Sequence, residues 1–199
     1  FNTLSECPIS MVSMTSSYKQ LVTRHLPEFV NWLMAIMKLE VPQQKEARRI
    51  AEEKGERLSA MSPTVKHRAA YGDFITAQVK AASLISYTVI RGHVPQLMQE
   101  NSTLIPDLYM RVLQDCPSEL PHARREVLHS IRHILTTPDR TLFIPKLDLM
   151  FDEKVLIGNS LTAYETLRPL AYSVVADFVH NVRGEISTDK ILQALTMYC

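Results

Sequence analysis

Apolar residues recur at steps of three and four along most of the chain. In "LRPLAYSVVADFVHNVR" (167–183) they fall at Leu167, Leu170, Ala171, Val174, Val175, Phe178, Val179 and Val182. That spacing marks one face of an α-helix. The same period predicts helices over 7–22, 26–40, 64–90, 102–115, 122–137, 140–153 and 188–198, with a short turn of helix at 94–100. Gly72 is the point at which the long helix 64–90 is open to interruption, and 154–163, around Gly158, reads as a loop. Ser187 is placed to cap the last helix. Pro169 sits in a first turn if its helix begins near Thr166; an earlier start predicts a kink there. No segment alternates as a half-buried strand does.

One segment breaks the pattern. Residues 41–63 carry charges of both signs and little apolar content, which predicts an exposed, partly helical insertion. Around it the helices repeat. "LPEFVNWLM" (26–34), "IPDLYMRVL" (105–113) and "IPKLDLMFD" (144–152) are three versions of one helix, and 39 residues separate Ile105 from Ile144. After the second and third comes a partner helix, "ARREVLHSIRHIL" and "TLRPLAYSVVADF", in which Arg124 aligns with Arg168. A period near 40 built from helix pairs predicts an all-α fold, an α-solenoid of HEAT-type pairs, with residues 1–199 part of one such solenoid.

Composition narrows the function. The chain has 22 Lys plus Arg against 21 Asp plus Glu, so no overall field points to nucleic acid or to an anionic membrane. Five glycines and no G-x-G-x-x-G or G-x-x-x-x-G-K argue against a nucleotide site of the common kinds. Cys7, Cys116 and Cys199 form no C-x-x-C and read as free thiols. No apolar run approaches the ~18 residues that would span a bilayer, and no signal peptide is read. The chain opens with Phe1 and closes inside a helical pattern, as a piece of something longer would.

Few side chains offer chemistry. His129 and His133 stand four apart on one helix, but Ser130 occupies the place of the glutamate in a zinc-protease helix, and no third ligand is evident. No nucleophile motif of the G-x-S-x-G kind occurs. His122, Arg125, His129, Arg132 and His133 cluster on one side of helix 122–137, as a solvated face or as a docking strip for an acidic segment. Arg124 and Arg168 lie nearer the apolar face and are expected to form structural ladder contacts with acids at the end of the preceding helix. The candidates are Asp115 for Arg124, and Asp152 or Asp148 for Arg168. Met11, Met14, Met34 and Met37 at helical spacings read as core filling before a binding groove.

The run "DEKVLIGNSLTAYETLRPLAYSVVADFVHNVRGEIS" (152–187) resembles a well-marked segment of the TRRAP family of transcription coactivators, relatives of the phosphatidylinositol-3-kinase-like kinases. "LSECPISMV" (4–12), "YGDFITAQVKAASLISY" (71–87) and "LIPDLYMRVLQDCP" (104–117) are similar to earlier parts of the same region, in the same order. The resemblance implies a fragment of the N-terminal HEAT-repeat region. It implies a scaffold without catalytic residues, in nuclear histone acetyltransferase complexes of the SAGA type, that takes up acidic activators. The implied partners are those activators, the other subunits, and neighbouring repeats; no cofactor, metal, nucleic acid or membrane is expected. Arg125, His129, Arg132 and His133, or the basic part of 45–57, are the expected contact. The rival readings are a generic HEAT scaffold of transport or phosphatase type and a helical metal-dependent enzyme using His129 and His133.

Overall fold

Proline near a helix start costs nothing, because the first turn has no intrahelical partner for its N–H. Pro27 opens helix α1 (Leu26–Lys38) in this way, with Glu28 in the first turn and Lys38 in the last, each complementing the helix dipole. α1 buries Leu26, Val30, Leu33, Met34 and Met37. The computed structural model describes residues 6, 10, 13, 14, 17, 18, 22–54, 68–91, 94–117, 119–158 and 161–198. Most of the helix expected over 7–22, together with Cys7, Met11, Cys199 and residues 55–63, lies outside these.

The charged stretch after α1 contains helix α2 (Pro42–Lys54). Arg49, Glu46 and Glu53 on it are exposed and paired with one another. Gln44, by contrast, is buried, and Arg48 is only partly exposed. Helix α3 (Arg68–Ile90) runs through Gly72 without interruption. A Cβ at Gly72 would lie 3.3 Å from Leu120 Cδ1, so the glycine serves close approach between helices rather than a break. The short α4 (Pro95–Glu100) leads to α5 (Leu104–Asp115) and α6 (Pro121–Leu135), both amphipathic as the sequence predicts.

The third version of the repeated helix is not one helix. Pro138–Lys146 is a 3-10 stretch with Pro145 inside it, followed by α7 (Leu147–Met150) and α8 (Glu153–Ile157). Pro145 lacks the N–H of a regular turn, and its ring clashes with the carbonyl four residues back, so no α-helix runs from 140 to 153. Asp152 restarts the winding by accepting from the backbone N–H groups of Lys154 (2.9 Å) and Val155 (3.4 Å). The expected loop at 154–163 therefore holds most of α8. The broken element still buries Phe143, Met150, Phe151, Val155, Leu156 and Ile157.

Helix α9 begins at Leu161 and ends at Val182, earlier than Thr166, so Pro169 lies within it rather than in its first turn. Pro169 leaves the Glu165 carbonyl without its usual donor, and Glu165 is on the exposed side where water reaches it. Helix α10 (Thr188–Tyr198) follows.

α3, α6 and α9 lie side by side and parallel. Gly72 faces Leu120 while Ser83 and Ser86 meet Ser130; Gly158, just before α9, abuts Arg124 while Asp177 meets Arg132. α1 and α5 form the second row, packed on α3 and α6. The core is one contiguous apolar cluster from Leu26 to Val182. Each large aliphatic side chain in it contributes roughly 1.5–3 kcal/mol. Among the described residues there is no strand, and the architecture is the expected α-solenoid of stacked helix pairs.

Candidate functional site

Leu120 is held in a non-helical conformation (φ −116°, ψ 61°) and Pro121 starts α6. From there Val127, Leu128, Ile131, Ile134 and Leu135 turn inward and are fully buried. The opposite side carries His122, Arg125, His129 and His133, all exposed. Arg132 is turned aside: its Nε donates to the Asp177 carboxylate of α9, with side-chain exposures of 41% and 32%. A pair this open to water contributes about 0–1 kcal/mol. Glu126 also lies on the exposed side. Partial burial, and then the charges of His133, Arg132 and Arg125, hold His129 below its ordinary value of 6.5, with Glu126 opposing. Protonation of His129 is thus disfavoured, and Arg125 stands exposed beside it.

The ladder contacts differ from expectation. Arg124 is buried and donates to two main-chain carbonyls, Cys116 O at 3.0 Å and Val155 O, not to the Asp115 carboxylate. Cys116 is the residue that ends α5, so the guanidinium sits on the negative end of that helix dipole and ties it to α8. Burial lowers the Arg124 pKa and pushes the free Cys116 thiol up to about 12. Gly158 is the counterpart: its φ is 91°, and a Cβ there would lie 3.3 Å from Arg124 Cζ.

Asp115 takes Arg48 of α2 instead. Burial raises the Asp115 pKa and Arg48 opposes the rise. Arg48 also donates to Glu40, which accepts from Arg111 at 3.1 Å. Beside them Gln44 donates to the Tyr71 hydroxyl (3.1 Å), and that hydroxyl donates to the Asp115 carbonyl (2.9 Å). Arg168 is exposed; it stacks 5.1 Å from the Tyr172 ring centroid and donates to its hydroxyl at 3.0 Å. Tyr172 in turn donates to Glu153 at 2.9 Å. The acids first assigned to Arg168 are engaged elsewhere, Asp152 as the cap of α8 and Asp148 with Lys190 at 3.1 Å.

Two polar residues that bind the helices together, Gln78 and Ser86, were not singled out from sequence. Gln78 donates to the Ile36, Met37 and Leu39 carbonyls at 2.9–3.2 Å and so caps the end of α1. Ser86 lies 2.8 Å from the Tyr109 hydroxyl and donates to Ser130 O at 2.9 Å. Both fall at core positions of otherwise apolar stripes, and a polar residue in such a register was the available signal.

Ser130, between the two histidines, is turned into the seam, where its hydroxyl donates to Glu126 O at 2.8 Å. Among the described residues no group of three or more His, Cys, Asp or Glu is placed to hold a metal ion. No described helix is long and apolar enough to cross a membrane.

Comparison with known proteins agrees with this arrangement. Residues 70–199 match the family model described as the Tra1 HEAT repeat central region. The region is named central, against the N-terminal placement that the resemblance implies. Over 198 residues the chain is 52% identical to the SAGA complex/NuA4 acetyltransferase complex subunit TRA1 of Saccharomyces cerevisiae, covering 100% of this chain and 5% of that protein. It is 35% identical to the subunit of the same description in Schizosaccharomyces pombe, with the same coverage. It is also 35% identical over 195 residues to the human transformation/transcription domain-associated protein, covering 98% of this chain and 5% of that one. The chain therefore spans a small part of the length of these relatives. Its helix pairs, its period and this match agree: the chain belongs to the Tra1/TRRAP family, within the HEAT-repeat solenoid.

Proposed function

We propose that this chain is a non-catalytic scaffold segment of a nuclear transcription coactivator in SAGA-type histone acetyltransferase complexes, and that it helps recruit the complex by contact with acidic activators. The observation that carries this reading is the match along the whole chain to proteins named as SAGA and NuA4 subunits. Those names do not favour a scaffold of transport or phosphatase type. The site fits the role: Arg125, His129, Arg132 and His133 form a strip on a rigid helix, backed by a core that Arg124 and its carbonyl partners hold in place. Asp115, Arg124 and Asp152 serve the frame, while Arg168 stays on the surface against Tyr172.

The test is capture of the full-length complex by an acidic activation segment. Reversing charge with Arg125→Glu and Arg132→Glu is expected to weaken capture by about tenfold, the effect of removing two favourable charge contacts. Capture indifferent to both changes would remove the strip from the account.

A further inference from the structure

Residues 42–54 hold one large aliphatic side chain, Ile50, and it is 39% exposed. Among the described side chains of α2 only Gln44 is buried and only Arg48 partly so; Lys45, Glu46, Arg49, Glu52, Glu53 and Lys54 face water. None of the described α2 residues joins the apolar cluster that holds α1, α3, α5 and α6. The described attachment is polar. Gln44 donates to the Tyr71 hydroxyl at 3.1 Å, and Arg48 reaches the carboxylates of Glu40 and Asp115. Arg111 completes the cluster by donating to Glu40. The charged side chains of the cluster are 10–20% exposed, open enough for salt to act on.

A 13-residue helix without a packed apolar face is marginal in water, and segments with few buried apolar contacts open before the core does. We propose that α2 is a detachable strap. Residues 42–54 lift as one piece while α1, α3 and α5 stay packed, and the contacts of Arg48 with Glu40 and Asp115 are the latch. With the strap seated, two guanidiniums balance two carboxylates. With it lifted, Glu40, Asp115 and Arg111 remain, one negative charge in excess, and the Tyr71 hydroxyl is bared beside them. The fold thus carries a charge switch near the ends of α1 and α5, which works whether or not the α6 strip takes up an activator.

The experiment is hydrogen exchange on the full-length protein in its complex, with salt raised from about 0.05 M to about 0.5 M. Protection over 42–54 is expected to fall about tenfold while 71–89 and 104–115 hold theirs. Arg48→Met is expected to begin at the low protection and to stay there at both salt levels. That variant keeps the exposed Glu46–Arg49–Glu53 pairs, so it separates the latch from salt effects within the helix itself. Protection over 42–54 that ignores salt in the native protein overturns the proposal, since burial and not charge then holds the helix. Loss over 104–115 in step with 42–54 overturns it too, because α2 is then no separate piece. A salt response undiminished in Arg48→Met removes the latch.

Discussion

At Gly158 two demands meet. The backbone there (φ 91°, ψ −171°) is a conformation that residues with a side chain rarely adopt, and the space a Cβ needs is taken by the Arg124 guanidinium. Gly158→Ala is therefore expected to cost about 1–3 kcal/mol, read as faster amide exchange over 153–158 and at Cys116 in the full-length protein. Arg124 could be picked out from sequence as a residue near the apolar face, but its partners could not. A guanidinium is satisfied by carbonyls as well as by carboxylates, and which carbonyl ends a helix within reach depends on packing. The histidines were legible as a group, and their electrostatics were not. His129 is held down by burial and by its basic neighbours, so an acidic segment laid over the strip raises its pKa and binding takes up a proton. Capture is then expected to be tighter at about pH 6 than at about pH 7.5. Equal capture at the two values would place the partner away from His129.

At the scale of elements, the amphipathic helices α1, α5 and α6 follow from their apolar period almost residue for residue. α7 and α8 do not, because Pro145 sits one turn too late to be absorbed as a first-turn proline and the chain winds differently around it. The period cannot report this, since the same apolar residues are buried by the broken element. α2 shows the opposite limit. Its charged sequence suggested solvent on all sides, yet Gln44 and Arg48 attach it to Tyr71, Glu40 and Asp115. Arg48→Met should loosen this attachment in a pH-dependent way. Asp115 already lies above its ordinary value of 3.8 through burial, and loss of Arg48 raises it further. A raised carboxylate favours the folded state below its unfolded value, and that contribution is lost as pH rises through the folded value. The deficit of Arg48→Met against the native protein is thus expected to be small near pH 4 and to grow to about 1–3 kcal/mol at pH 7. Hydrogen exchange over 42–54 at the two pH values measures it, and a deficit that does not change with pH would mean that Asp115 does not sense Arg48.

For the molecule as a whole, the 39-residue spacing from Ile105 to Ile144 was enough to announce stacked helix pairs. It could not announce how the stack is pinned. The seam between α3 and α6 is crossed by hydroxyls, Ser83 to Ser130 at 3.1 Å and Ser86 to Ser130 O, and beside it Tyr109 of α5 donates to Ala82 O of α3 at 2.6 Å. The seam between α6 and α9 has, among the described bonds, the half-open Arg132–Asp177 pair in place of such hydroxyls. Purely oily contacts let neighbouring rods slip lengthwise at little cost, whereas a directional bond at a fixed height does not. A load along the ribbon is therefore expected to be resisted at both joints, by buried hydroxyls at the first and at the second by the Arg132–Asp177 pair and the buried contacts of Arg124 with Cys116 O and Val155 O.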